Sequence, residues 1–301
     1  IGVKYFNIDI ITYLKLYSFL YFLLGILGLF LIKKYLTINN LKFINKKFFL
    51  YAFPLCLLTL TPLIQLFIGQ NFILVYLEQN SLGIYAAATK LTILFTLPAL
   101  AVSNSTVPIL LRTSKEANFN INTNKFLYFT LLFMSFFLFI LTLFGSELTL
   151  IIFGENYNSS GVILSILCLG LFFKSLHYVL SVGSLIKNGT KYRFFSSILV
   201  MIISLYLSYI LIKSNGLIGL VIGIVIGNLI QLILDYYIAQ KIFKIEWNIF
   251  VTLIVLIYVI SIFFLIQYIG DISVINKILV SLILLFINSL LYFFLVIKNK
   301  Y

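Results

Sequence analysis

Runs of about twenty apolar residues alternate with short polar connectors along almost the entire chain. A helix rises 1.5 Å per residue, so a run of that length matches the hydrocarbon core of a bilayer. The runs fall at 16–36, 48–75, 82–111, 126–145, 160–186, 194–212, 217–240, 249–269 and 277–297. They predict nine transmembrane helices. No connector exceeds about fifteen residues, which leaves no room for a soluble domain and makes consecutive helices antiparallel neighbours. The predicted class is an all-α integral membrane protein, a polytopic helix bundle.

Composition points the same way. Apolar residues are 62% of the 301 and charged residues only 10%, with a mean hydropathy of +1.16. Soluble domains carry roughly 25% charged residues, and so few charges cannot cover a water-exposed surface of this size. The formal net charge of +13 does not indicate nucleic acid, because the basic residues sit in small clusters between apolar runs and not on one face.

That clustering defines a topology. Lys33, Lys34, Lys42, Lys46, Lys47, Arg112, Lys115, Lys125, Lys187, Lys191, Arg193, Lys241, Lys244, Lys298 and Lys300 fall in alternate connectors, fifteen of the 21 basic residues. The opposite connectors hold Lys4, Lys15, Lys213 and Lys277 together with Glu78, Glu147, Glu155 and Asp271. Basic connectors stay in the cytoplasm, so the C-terminus is predicted to be cytoplasmic. Cys56 and Cys168 lie within apolar runs and read as reduced core residues. No secretory signal opens the chain, and the first residue is Ile1, which reads as a fragment lacking its N-terminal part.

Several helices carry breaks. Pro54 and Pro62 each remove a backbone donor from span 48–75 and should bend it. Span 82–111 contains Pro98 and Pro108 around the polar run Ser103, Asn104, Ser105, Thr106. Irregular backbone at membrane depth is tolerated only against protein or a water-filled cavity. The break therefore either shapes packing or marks a moving, cavity-lining helix. Gly219, Gly223 and Gly227 recur every four residues and predict a face that another helix approaches closely.

Ionisable residues inside spans are costly and default to functional candidates. Lys174 lies near the middle of its span, and His177 follows three residues later on the same face. Together they suggest an anionic ligand site, or else a structural polar pair. Lys90 lies where it can snorkel to the interface or line a cavity. Asp235 lies near the cytoplasmic end of its span, where an ion pair with Lys241 competes with a role in ion coupling. Gln65, Asn71, Asn104, Asn228 and Gln231 are expected to bridge helices. One His, few acids, no metal-ligand spacing and no nucleotide loop leave no catalytic constellation, no metal site and no cofactor to predict.

One family carries these features in this order. Residues 71–116, with Leu82-Gly83-Ile84-Tyr85, Ala88, Lys90, Pro108 and a basic end, resemble the seventh-to-eighth helix region of the Wzx-type polysaccharide (O-antigen) flippases. These belong to the multidrug/oligosaccharidyl-lipid/polysaccharide (MOP) exporter superfamily. Phe153-Gly154 with Tyr157 is similar to the family's ninth-to-tenth helix junction, and Ser214-Asn215-Gly216-Leu217-Ile218-Gly219 to the start of its twelfth helix. The resemblance covers roughly residues 48–240. It implies that 1–47 ends an N-terminal lobe, that 48–240 forms a C-terminal six-helix lobe, and that 241–301 adds two helices. It further implies translocation of an undecaprenyl-pyrophosphate-linked oligosaccharide across the bacterial inner membrane, with a polysaccharide polymerase and a chain-length regulator as possible partners. Lys90, Lys174 and His177 would then bind substrate and Asp235 would couple an ion. Asn71 stands where many relatives have an acid. A peptidoglycan-precursor flippase or multidrug antiporter of the superfamily, and a membrane-embedded polymerase or ligase, are the competing readings.

Overall fold

The computed structural model describes residues 10–32, 46–187, 189–269 and 273–297. Lys4, Lys33, Lys34, Lys42, Asp271, Lys298 and Lys300, all used above to infer topology, lie outside the described residues. The chain divides into two compact units, 1–50 and 51–301. The first contains helix α1 (Ile10–Ile32), whose Phe19, Phe22, Leu24 and Phe30 are all exposed, as befits a helix with lipid for its solvent.

The second unit is a bundle built from α2 (Lys46–Tyr76) beyond its first five residues, α3 (Gln79–Leu91), α4 (Ile93–Arg112), α5 (Phe119–Leu143), α6 (Gly145–Phe153), α7 (Ser160–Leu180), α8 (Val182–Ile186), α9 (Thr190–Ile242), α10 (Ile249–Ile269) and α11 (Val274–Tyr292). Among the described residues seven helices are long and apolar enough to cross a membrane. One of these, α9, supplies two spans. With its second arm they make eight spans, and α1 carries a shorter apolar stretch, Ser18–Gly28, within the first of the nine spans expected. The protein is a multi-pass helical membrane protein.

Helix α9 folds back on itself at Gly216, whose φ of 58° and ψ of −140° interrupt the helix. Its two arms, 190–215 and 217–242, pair antiparallel. Ser208 donates to the carbonyl of Leu220 at 3.0 Å, and Ser204 to that of Gly223 at 3.2 Å. The glycine repeat predicted as a packing face is this seam. A Cβ on Gly223 would stand 2.5 Å from the Ser208 amide nitrogen, and one on Gly227 2.5 Å from Ser204 Cβ. Only residues without a side chain admit the facing arm.

The hub is α7, which touches α3, α4, α5, α6 and both sides of the α9 hairpin region. Its small residues Gly161, Ser165, Cys168 and Gly170 are buried, and at Gly170 an added Cβ would meet Asn228 and Val225 of α9. Phe95, Leu131, Phe172, Leu176 and Val221 form part of one apolar core around it. α10 and α11 pack against α5.

Side-chain amides and hydroxyls join neighbouring helices, as groups without water must. Gln65 Nε2 donates to Ser204 Oγ at 2.8 Å, Gln267 Nε2 to Ser165 Oγ at 2.7 Å, and Asn288 Nδ2 to Ser135 Oγ at 3.0 Å. Asn71 instead turns back to the Phe67 carbonyl of its own helix. Lys277 Nζ meets Glu147 Oε1 at 2.5 Å. Both residues belong to the connectors assigned to one side from loop charge. The opposite connectors meet likewise, Asn124 reaching the Glu246 carbonyl at 2.8 Å.

Two expectations change. The span 82–111 is interrupted at Thr92, between α3 and α4, six residues before Pro98. Thr92 stays in the right-handed region at φ −58° and ψ −14°, so both prolines are carried inside α4. Cys168 is buried but Cys56 is exposed, and both are free thiols. Hydropathy marks membrane residence and cannot separate a lipid-facing from a core-facing position.

Candidate functional site

A cavity of about 520 Å³ opens between α2, α7 and the two arms of α9. Along α9 it reaches from Arg193 to Ser204, about 16 Å at the helical rise. Pro62 of α2 is in the wall, one turn before Gln65. Span 48–75, which the sequence marked only for a bend, thus supplies part of this cavity wall.

The charged wall comes from two helices. Lys174 and His177 project from the same face of α7, and Arg193 from the first turn of α9. Lys174 is half-buried, and among the described residues its Nζ has no hydrogen-bond or ion-pair partner. An ammonium in a membrane-embedded wall with no counter-charge among the described residues is an unfinished pair.

His177 is only 7% exposed and Asp235 1%. His177 Nε2 lies 2.6 Å from Asp235 Oδ2. A carboxylate only accepts, so Nε2 carries the proton and donates. Asp235 also accepts from Gln231 Nε2 at 2.5 Å and from the Ser196 hydroxyl. Those four groups tie α7 to both arms of α9. The Arg193 guanidinium approaches the same His177 nitrogen at 3.5 Å. That nitrogen is already donating, so Arg193 contributes charge there and not a hydrogen bond.

Asp235 is not part of the cavity wall; it sits behind His177 and Gln231, which are. The expectation of an interfacial pair with Lys241 is corrected. Lys241 Nζ instead stands 4.6 Å from the ring centre of Tyr237, one side of the helix away. The bare periodicity of 217–240 did not show which face turns inward, because both faces are apolar. Among the described residues the cavity wall thus bears Lys174 and Arg193 and no acid, Asp235 being bonded behind it. Neutral polar groups from Gln65, Ser197, Asn228 and Gln231 complete it.

Lys90 is in the last turn of α3 and exposed, and it lines neither of the cavities that Lys174 faces. Arg193 is the residue sequence reasoning missed. It was assigned to a cytoplasmic connector, yet it lies inside α9 and points at the cavity. The available signal was its position just beyond the Gly189 cap, where a long side chain is helical and not in a loop. Of the polar run 103–106, Thr106 is buried while Asn104 and Ser105 are exposed. Among the described residues no group of three His, Cys, Asp or Glu could hold a metal ion.

A multi-pass helical bundle with a cationic internal cavity is the class defined by fold and site. No family model matches the chain. Among curated proteins it is similar to the capsular polysaccharide biosynthesis protein CapF of Staphylococcus aureus, 27% identical over 167 residues, or 54% of this chain and 42% of CapF. Among solved structures it is similar to the lipid II flippase MurJ in an inward closed conformation. That likeness has a TM-score of 0.63 at 20% identity, and covers 80% of this chain and 53% of MurJ. It establishes a shared fold. The chain spans about half the length of either relative.

Proposed function

We propose that the chain is part of a flippase that moves a lipid-linked oligosaccharide, carried on undecaprenyl pyrophosphate, across the bacterial inner membrane for surface polysaccharide synthesis. The observation that carries this reading is Lys174, an ammonium without a partner among the described residues, in the wall of a cavity of about 520 Å³ that also bears Arg193 and several neutral polar groups. A diphosphate is an anion that draws charge-assisted hydrogen bonds from Lys and Arg. The neutral amides and hydroxyls around it suit sugar hydroxyls. The likeness to a capsular polysaccharide protein and to the MurJ fold supports the same substrate class.

Residues 48–240 form the C-terminal lobe in this reading, flanked by 1–47 and 241–301, with the C-terminus cytoplasmic. Lys174 and Arg193 bind the phosphates and His177 orients the wall. Asp235 couples an ion through His177, and Lys90 meets the substrate outside the two cavities that Lys174 faces. A polymerase and a chain-length regulator would receive the product. A second reading, a flippase for a peptidoglycan precursor, is favoured by the MurJ fold and uses the same site. A drug antiporter for cations is disfavoured because the wall offers no acid among the described residues. The deciding experiment replaces Lys174 by Ala in cells and measures surface polysaccharide alongside membrane abundance. The proposal expects export to stop with abundance unchanged; normal export would sink it. Lethality accompanied by halted cell-wall synthesis would select the second reading.

A further inference from the structure

Lys174 faces a second space. A cavity of about 170 Å³ lies between α4 and α7, walled by Phe95, Ala99, Leu100 and Leu171, with Thr96 and Ser175 as its small polar groups. Lys174 and Tyr178, one helical turn apart, line both this cavity and the larger one. Leu100 is 46% exposed and its neighbour Leu97 58%, so the small cavity borders the apolar outer surface of the bundle. A compartment that also bears Arg193, His177 and several amides, and a smaller one with no other charged side chain among the described residues, therefore meet at the Lys174 ammonium. A water-soluble sugar phosphate has no use for the second compartment. An amphiphile whose hydrocarbon begins directly at its phosphate needs such a junction.

We infer that the α4–α7 cavity is a subsite for the phosphate-proximal end of the hydrocarbon chain of an anionic lipid, whose phosphate rests on Lys174 and whose head group occupies the larger cavity. The inference rests on the flippase reading of that larger cavity. The lysine stem is itself apolar and packs on hydrocarbon while its ammonium reaches the phosphate. The small volume suits a short branched segment and not a head group, since sites for drug-sized ligands run to about 300–1,000 Å³. Another apolar groove, of about 360 Å³ between Phe129, Phe133, Leu285 and Tyr292, has no basic residue in its lining. It offers the chain no place to anchor a phosphate.

The test uses the full chain in nanodiscs and a polyisoprenyl-diphosphate disaccharide carrying a diazirine in its first isoprene unit. Crosslinks should map to 95–100 or 171–175. Crosslinks confined to 129–136 and 285–292, or spread evenly over the outer surface, would overturn the inference. Binding measurements separate it from the reading beneath it. Ala99→Phe, which fills the small cavity, should weaken the lipid about tenfold and leave a chainless disaccharide diphosphate unaffected. If Lys174→Ala weakens both ligands while Ala99→Phe weakens neither, the subsite alone fails. If Lys174→Ala weakens neither, the flippase site fails and the subsite with it.

Discussion

His177 Nε2 and Asp235 Oδ2, 58 residues apart in sequence, stand 2.6 Å apart and join the central helix α7 to the returning arm of α9. Removing either partner alone strands a buried polar group. We expect His177→Ala and Asp235→Ala each to destabilise the protein by about 3–5 kcal/mol. The double variant should lose clearly less than the sum, by at least about 1 kcal/mol of coupling. Reversible unfolding in mixed micelles measures all three, and strict additivity would show that the contact carries no energy.

The hairpin seam is tightest where a side chain has no room. Gly223→Ala places its Cβ 2.5 Å from the Ser208 amide nitrogen, so the arms must separate. A loss of about 1–3 kcal/mol is expected, the usual effect of overpacking. Ile222→Ala, a change on the neighbouring exposed face, is the control and should leave the melting temperature within a degree or two of the parent.

Lys277 and Glu147 meet at 2.5 Å and fasten α11 to the start of α6. Lys277 is 4% exposed, which makes the pair more than a screened surface contact. Lys277→Glu should lower yield and thermal stability, and so should Glu147→Lys. Combining the two should recover most of the loss. Failure of the reversed pair to recover would mean that packing around the lysine stem matters more than the charge contact.

Topology has a direct readout. Ser214 lies at the exposed tip of the α9 hairpin, and Lys244 in the connector after its second arm. With a membrane-impermeant maleimide on intact cells, a cysteine at 214 should react, whereas one at 244 should react only after permeabilisation. The reverse pattern would invert the orientation read from the basic connectors.

Charge type at Lys174 discriminates binding from packing. Lys174→Arg keeps the cation and should retain substantial export, while Lys174→Gln keeps much of the volume and should abolish it. Equal behaviour of the two variants in an export assay would mean that the site does not depend on a positive charge.

Sequence by itself determined the solvent of this protein, and with it the helices. Twenty-residue apolar runs have no other stable form in a bilayer, because backbone groups without water must bond within the segment. The glycine repeat of 219–227 announced a close approach, and the sign of the connectors already grouped Lys277 with Glu147. Lys174 and His177 were legible as a pair because three residues along a helix is a local relation. The partner of His177 was not legible. In a helix that is apolar all round, periodicity does not tell which face meets protein and which meets lipid, so Asp235 read as interfacial and Arg193 as a loop charge. The reversal at Gly216 brought position 235 opposite position 196 and Arg193 beside His177. Only that tertiary pairing decided that the acid is hydrogen-bonded behind the wall while Lys174 faces the cavity without a counter-charge among the described residues.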